Sequence, residues 1–213
     1  MSDWDAYYRT RFQFDPRRTL VWKCICEWLQ PEVPENGTVV EFGAGYCDFI
    51  NNISAARKIA VDLSSTVVNS ASAKVEARIS SCTDCGFLPE AIADTIFASN
   101  LLEHLTLSQC EETLCEARRI LKPNGKLIVV QPNFRYCHRK YFDDYTHVTV
   151  FTHTSLADLV RSTGFHVTRV EPRFIPFSMK GRMPITPWLI RLYLRSPIRP
   201  MAGQMLLIAR KGN

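Results

Sequence analysis

A short acidic and glycine-containing run near the start of the chain has the composition of a nucleotide-binding turn. An apolar stretch leads into Glu41, and Gly43 and Gly45 follow it closely. Glycine lets the backbone turn tightly and approach a ligand without a Cβ in the way. About twenty residues on, a second apolar stretch ends in Asp62, whose carboxylate can accept both ribose hydroxyls. The spacing predicts a site for an adenosine-containing ligand.

The residues around this turn narrow the choice of ligand. A dinucleotide-binding turn has a third glycine where this chain has Asp48, and a carboxylate there would oppose a pyrophosphate. Glu41 suits a ligand with an ammonium group and no phosphate. The pattern acidic-x-Gly-x-Gly resembles the first motif of the class I S-adenosylmethionine (SAM)-dependent methyltransferases, although Cys47 stands where that motif has its last glycine.

Three later segments agree with this resemblance. Residues 99–105 resemble the fourth-strand motif of the branch that carries a Glu-His pair there. Residues 118–125 resemble the basic turn before the fifth strand, and 152–165 resemble a capped helix that ends at glycine. The resemblance covers residues 36–170 and indicates a methyltransferase type 11/23-like protein, of the kind associated with polysaccharide biosynthesis.

The resemblance implies that the cofactor is SAM and assigns its parts. Glu41 and the glycine loop would contact the methionyl part, Asp62 the ribose, and the loop after the third strand the adenine. The predicted cofactor-binding residues are Glu41, Gly43, Ala44, Gly45, Asp62, Leu63, Ser81, Cys82 and Asn100.

Methyl transfer requires alignment of the acceptor with the methyl group and a base for the acceptor's proton. We expect His147 to be this base, oriented by Asp144, with His104 as a second candidate. Each histidine could instead be structural. The predicted substrate contacts are Tyr8, Arg11, Asn133 and Tyr136.

Strand and helix patterns alternate along the chain, which predicts an α/β fold. Specifically, we expect a doubly wound, mostly parallel, seven-stranded Rossmann-like sheet with helices on both faces. The predicted strands are 38–42, 58–62, 76–80, 95–99, 126–131, 166–170 and 205–209. Helices are expected from Pro16 to Leu29, over 46–55, from a capping box of Ser108 and Glu111, after Thr152, and over 188–195.

The domain prediction separates an N-terminal segment from one SAM-binding domain. Residues 1–35 combine aromatic and basic side chains with a helix that packs on the site or covers it. Residues 36–213 form the methyltransferase domain, with a proline-rich insertion over 172–202 before the last strand.

Composition and charge bear on location and partners. The 213 residues are 46% hydrophobic and 22% charged, with a net charge of +5, and no run has the ~18 apolar residues of a membrane span. We predict a cytoplasmic protein. The clustered Arg and Lys residues are interpreted as a solvated face, so no nucleic acid is expected. Peripheral contact with the inner face of the membrane, through the basic and apolar stretch 188–195, is an alternative to packing on the sheet.

The eight cysteines are interpreted as reduced and mostly buried. Only the pair Cys82 and Cys85 has a zinc-like spacing, and no matching second pair accompanies it. No metal is therefore expected.

The expected reaction is methylation of an oxygen or nitrogen on a small molecule or glycan, including a lipid-linked or phosphorylated sugar. One alternative is a short-chain NAD(P)-dependent reductase, because Tyr136-x-x-x-Lys140 imitates the Tyr/Lys pair of that class, although this stretch is predicted as loop. The other is a non-catalytic partner with the same fold. The oligomeric state is left open.

Overall fold

The computed structural model describes Tyr7, residues 10–177 and residues 186–212, and these form a single seven-stranded sheet in the order β3-β2-β1-β4-β5-β7-β6. The strands are β1 Thr38–Phe42, β2 Arg57–Asp62, β3 Glu76–Ile79, β4 Ala93–Ser99, β5 Leu121–Pro132, β6 Phe165–Pro176 and β7 Ala202–Lys211. β7 is antiparallel to both of its neighbours, and the pairings among β1 to β5 are parallel.

Helices cover both faces of the sheet. They are α1 Pro16–Leu29, α2 Thr66–Ser70, α3 Leu107–Ile120, α4 Phe134–Tyr141, α5 His153–Ser162 and α6 Pro187–Arg195. Because consecutive strand side chains point to opposite faces, each strand serves two cores. Val40 packs into the core with α3 and α5, whereas Val39 packs into the core with α1 and α6. The predicted doubly wound, mostly parallel Rossmann-like fold is confirmed.

The start of α1 agrees with its sequence signals. Asp15 has an extended backbone and accepts a hydrogen bond from the backbone N of Arg17 at 3.0 Å, while Pro16 occupies the first helical turn, where its missing N–H costs nothing. Trp22 and Ile25 are buried, and they pack α1 against the core that also contains Val39 of β1 and Phe97 of β4.

The helix predicted over 46–55 is wrong, because the segment is a series of turns. Cys47 has φ of 58°, in the left-handed region. In a helix the N–H of Ile50 would donate to the carbonyl of residue 46, but here it donates to the carboxylate of Glu41 at 3.0 Å. The acidic residue therefore replaces a helical carbonyl as the acceptor.

Three further predictions differ from the structure. The capping box of α3 consists of Thr106 and Gln109, because the helix begins earlier than the Ser108 and Glu111 pattern suggested. The segment expected as a proline-rich insertion over 172–202 starts later, because β6 continues to Pro176, while α6 lies within it where a helix was expected and β7 begins at Ala202. Tyr136 lies in α4, a helix, where a loop was expected.

None of the described helices is long and apolar enough to cross a membrane. α6 packs partly on α1, since Leu194 is buried and the guanidinium of Arg191 pairs with the carboxylate of Glu27 at 2.8 Å.

A substitution at Phe97 of β4 would test how much the core beneath the cavity contributes to stability. Its ring is fully buried and stacks on Phe49, with ring centroids 3.7 Å apart. Phe97→Ala should lower the free energy of unfolding by about 3–5 kcal/mol, since it leaves a cavity beneath the turns that follow β1. Urea unfolding followed by circular dichroism measures this. Phe87→Ala, at a residue 44% exposed, is the control and should change stability by less than about 0.5 kcal/mol.

Candidate active site

A cavity of about 540 Å³ opens at the carboxyl ends of the parallel strands. In an open α/β sheet this edge is where ligands bind. The strand order places the segments after β3 and β2 at one end, the glycine loop after β1 in the middle, and the segments after β4 and β5 at the other end. Of the predicted residues, the cavity lining includes Glu41, Gly43, Ala44, Gly45, Asp62, Leu63, Ser81, Cys82, Asn100, His104, Asp144, His147 and Arg11.

Two carboxylates from adjacent strands hold the glycine loop. The carboxylate of Asp62 accepts hydrogen bonds from the backbone N of Gly45 and of Ser64, each at 2.8 Å. Glu41 accepts from Ile50 on the other side of the loop. Each carboxylate oxygen can accept more than one hydrogen bond, so Asp62 can hold the loop and still accept ribose hydroxyls.

Gly43 and Gly45 have φ of 65° and 51°, so the loop uses conformations that favour glycine. A Cβ added at Gly43 would lie 2.9 Å from Cδ1 of Leu101. Asn100, at the end of β4, also has positive φ, at 49°, and its side chain faces the same cavity. Leu101 therefore packs directly against the glycine loop, which a side chain at position 43 would prevent.

The segment after β3 forms the end of the cavity predicted to take adenine. The hydroxyls of Ser81 and Thr83 are 2.7 Å apart, which orders the turn. Cys82 is buried and its Sγ lies 3.5 Å from the hydroxyl of Thr113 in α3. Leu63, by contrast, is 45% exposed and forms an apolar part of the cavity lining.

The far end of the cavity contains a histidine pair. The rings of His104 and His147 have centroids 4.9 Å apart. Nδ1 of His147 lies 2.7 Å from the backbone oxygen of Tyr141, which only a protonated Nδ1 can satisfy, so Nε2 bears the lone pair. Burial lowers the pKa of both histidines, so both are neutral near pH 7.

Asp144 does not orient His147 through a hydrogen bond, contrary to expectation, because the carbonyl of Tyr141 takes that position. Its carboxylate accepts from the hydroxyl and backbone N of Thr146 at 2.6 and 3.1 Å, and pairs with Nε of Arg11 at 3.2 Å. Burial raises the pKa of Asp144, but the Thr146 bonds and the histidines outweigh it, so the pKa lies below its ordinary value.

Glu103 also lines this end, and the sequence interpretation did not include it among the site residues. It is 1% exposed, and among the described residues neither carboxylate oxygen has a hydrogen-bond partner. Burial raises the pKa of Glu103 to about 8. The Glu-His pair after β4 is the sequence pattern that could have identified Glu103 as a site residue.

Arg18, Asp48 and Lys140 line the cavity as well, with Arg18 paired to Asp48 at 2.9 Å.

Two predicted substrate contacts do not reach the cavity. Asn133 is fully buried, caps α4 through the backbone N of Arg135, and donates to the carbonyl of Pro172 at 2.9 Å. Tyr136 is 40% exposed outside the lining, beneath the guanidinium of Arg173. Tyr8 lies outside the described residues. Since Tyr136 does not face the cavity, the reductase alternative loses its Tyr/Lys pair.

All eight cysteines are free thiols, and only Cys115 is exposed. Burial raises the pKa of the Cys85 thiol to about 12, and its Sγ lies 3.3 Å from the carbonyl of Ser81. Among the described residues, no group of three metal-type donors includes a cysteine.

A family model for the methyltransferase domain matches residues 15–170. Three solved structures have the same fold. A SAM-dependent methyltransferase from Archaeoglobus fulgidus superposes with a TM-score of 0.70 at 18% identity, covering 99% of this chain and 100% of that one. A SAM-dependent methyltransferase from Thermotoga maritima gives 0.65 at 19% identity, with coverages of 98% and 94%. The third is the 1,6-didemethyltoxoflavin-N1-methyltransferase of Burkholderia thailandensis, solved with 1,6-didemethyltoxoflavin and S-adenosylhomocysteine (SAH), at 0.64 and 17% identity, with coverages of 99% and 86%. No curated protein sequence matches this chain.

The chain belongs to the methyltransferase-domain family. It is a SAM-dependent methyltransferase, and SAM is its cofactor. The cavity fits this cofactor, because Gly43 leaves no space for a Cβ beside the loop and Asp62 stands at the end of β2. Burial raises the pKa of Glu41, and the ammonium group of a ligand beside it would favour its charged form, whereas Asp48 is already paired with Arg18.

Gly43→Ala tests the loop. The added Cβ would contact Leu101 and would also be strained at positive φ. We expect SAH affinity, measured by isothermal titration calorimetry, to fall at least about tenfold, or about 1.4 kcal/mol. Gly86→Ala is the matched control, since its Cβ would only approach the side chain of Asp84 at 3.3 Å. Equal SAH affinity in both variants would contradict the assignment of this loop to the cofactor.

Proposed function

We propose that this protein transfers the methyl group of SAM to an oxygen or nitrogen of a small-molecule or glycan acceptor, including a lipid-linked or phosphorylated sugar. The observation that carries this proposal is the single cavity that joins the glycine loop and Asp62 to the histidine pair. Its volume of about 540 Å³ lies within the range of small-molecule sites.

The order of the strands separates a cofactor end from an acceptor end. Asp62 follows β2 and Ser81 follows β3, so we assign the ribose and adenine to that side. Glu41 and the glycine loop follow β1 and are assigned to the methionyl part. Asn100 follows β4, the next strand, and would adjoin the reacting methyl group. SAM supplies an activated methyl group on a positively charged sulfur.

The acceptor end lies over β4 and β5. We assign His147 and His104 to activation of the acceptor's O–H or N–H group. Burial keeps both imidazoles neutral, so each retains a nitrogen lone pair for a proton or a cation. Asp144 acts as a positioning residue: it accepts the hydroxyl proton of Thr146, which in turn contacts Nδ1 of His104 at 2.9 Å.

We propose that the N-terminal segment covers this end. Tyr7 and Arg11 both reach Asp144, at 3.4 and 3.2 Å, and Phe12 packs against Tyr46 with ring centroids 5.2 Å apart. The contacts to Asp144 support a cover over the acceptor end, and the contact of Phe12 with Tyr46 extends it to the glycine loop; such a cover restricts water during methyl transfer. Lys140 also lines this end and supplies a positive charge for a phosphorylated acceptor, whereas the charge of Arg11 is paired with Asp144.

The acceptor class is tested by measuring SAH release from SAM with one representative of each class. A lipid-linked sugar phosphate, a nucleotide sugar and an amine metabolite are suitable probes. Release above background with one of them, lost in His147→Gln, supports the assignment. Release only with a protein substrate would overturn the proposed acceptor class.

Asp62→Asn tests the cofactor end without an acceptor. The amide Nδ2 can replace one oxygen that now accepts from Gly45 or Ser64, so both the loop and the ribose site are disturbed. SAH at ~100 times its dissociation constant should stabilise the wild type by about 2.7 kcal/mol, seen as a thermal shift. In Asp62→Asn we expect most of this shift to be lost. Asp158→Asn, at an exposed surface residue, should keep it.

A lipid-linked acceptor is supported by an apolar surface on and after α6. Trp188 and Leu192 are 63% and 60% exposed, and Ile198 and Met201 follow them with exposures of 79% and 63%. Arg195 lies on the same helix. Exposed aromatic and aliphatic side chains beside basic residues are typical of peripheral membrane contact.

The double variant Trp188→Ala, Leu192→Ala should bind vesicles containing an anionic lipid at least about tenfold more weakly than the wild type, because it loses most of the exposed apolar area of α6. Co-sedimentation measures this. Leu107→Ala, at a residue 54% exposed on α3, is the control. If the wild type does not sediment with the vesicles, membrane contact through α6 is ruled out.

A further inference from the structure

Three side chains with metal-binding atoms meet at the acceptor end of the cavity. Glu103 and His104 lie in the 3-10 turn after β4, and His147 follows α4. One carboxylate oxygen and one ring nitrogen from each histidine all lie within 4.8 Å of one another. We propose that Glu103, His104 and His147 bind a divalent transition-metal cation, which holds the acceptor's nucleophilic group beside the methyl donor. This proposal rests on the proposed function.

The carboxylate of Glu103 is the strongest indication of a ligand. It is 1% exposed, and within the described part of the chain neither oxygen has a hydrogen-bond partner. A buried carboxyl group without a partner either keeps its proton, as the raised pKa of Glu103 indicates, or gives it up when a cation pairs with it. A cation among these three residues would therefore satisfy the buried carboxylate that the described residues leave without a hydrogen-bond donor.

The histidines have the protonation pattern of metal ligands. A ligating histidine normally donates its other ring N–H to an oxygen, which fixes the tautomer and the ring orientation. His147 does so through Nδ1, to the carbonyl of Tyr141. The hydroxyl hydrogen of Thr146 goes to Asp144, so Oγ1 of Thr146 is left to accept from Nδ1 of His104 at 2.9 Å. In both histidines Nε2 is thus the nitrogen with the lone pair.

The backbone holds the two ligand segments together. The carbonyl of Glu103 accepts from the backbone N of Val148 at 2.9 Å and of Thr149 at 3.1 Å. These bonds tie the turn after β4 to the residue next to His147. Donor atoms at ~2.0–2.1 Å from a tetrahedral zinc ion lie about 3.3 Å apart. Since the donor atoms here lie within 4.8 Å of one another, the pair furthest apart would draw together by up to about 1.5 Å on binding.

The donor set indicates which cations fit. Two imidazoles and one carboxylate suit zinc, iron, manganese or cobalt, whereas calcium and magnesium prefer oxygen ligands. Three protein ligands leave a position open for an acceptor hydroxyl, whose pKa a cation lowers. The hydroxyl proton is released to solvent as the acceptor oxygen binds the cation. The oxygen lone pair forms the new bond to the methyl carbon, while the carbon–sulfur bond breaks and its electron pair remains on sulfur, giving SAH.

The test uses the whole chain after dialysis against a chelator. Calorimetric titration with Zn²⁺ and with Mn²⁺ should give about one bound ion per chain. Glu103→Gln and His147→Gln should each weaken binding at least about 100-fold, because losing a ligand costs more than the ~10–100-fold that is typical of losing an outer partner of a ligand. Glu111→Gln and His166→Gln, both at exposed positions, should bind as the wild type does. No binding of either ion by the wild type, or equal binding by Glu103→Gln, would overturn the proposal.

Two further measurements distinguish this site from a cysteine site and from a loss of cofactor binding. Co²⁺ loaded into the wild type should show d–d absorption without thiolate charge-transfer bands, because the ligands are nitrogen and oxygen; thiolate bands would assign the ion to the cysteines and overturn the site. Thermal stabilisation by SAH in the chelated protein reports the cofactor site and the folding of each variant. If SAH does not stabilise the wild type, the proposed function is refuted. If SAH stabilises the wild type but neither ion binds to it, only the metal site is refuted.

Discussion

Two carboxylates at the ends of adjacent parallel strands hold the loop on which the active site depends. Glu41, near the end of β1, accepts the N–H of Ile50, and Asp62, at the end of β2, accepts the N–H of Gly45. Because Glu41 pairs in register with Ala60, two residues before Asp62, both side chains point to the same face of the sheet and hold two points of one loop. The loop can then adopt left-handed conformations without a helix to support it, at a cost that buried hydrogen bonds offset.

The sequence predicted the parts of the site that depend on local spacing. Glu41, Gly43 and Asp62 face one cavity as expected, because strand ends of a parallel sheet meet at one edge. Asn133 also follows a strand, yet its side chain points away from the cavity. It accepts from the backbone N of Arg135, which caps α4, and donates to the carbonyl of Pro172. A position at a strand end therefore predicts that a residue lies near the cavity, but it does not predict whether the side chain points into the cavity.

Errors in the helices came from competing local signals. Thr106 and Ser108 both precede acidic or amide residues at suitable spacing, and only the structure shows which one caps α3. The turns over 46–55 have a helical composition, but the carboxylate of Glu41, which belongs to the preceding strand, accepts the N–H of Ile50. The contact of Glu103 with His147 likewise depends on the adjacency of β4 and β5, which no local pattern encodes.

The two ends of the cavity differ in how they are built, which explains how one fold can serve different acceptors. The end that we propose for the cofactor is built from strand ends and backbone groups, which tolerate little change. The end that we propose for the acceptor is built from the 3-10 turn, the segment after α4 and the N-terminal contacts to Asp144. Differences in these loops would alter the acceptor without disturbing the methyl donor, in line with the general separation of scaffold and site.

The position of β7 has a consequence for synthesis on the ribosome. β7 lies between β5 and β6 and is almost wholly buried, yet it is the last strand of the sheet along the chain. Until it emerges, β6 has no partner strand and β5 presents an open edge. Unpaired edges of this kind favour aggregation of nascent chains. Translation that stops before residue 202 should therefore yield a product that is cleared by proteolysis and not a partly active enzyme.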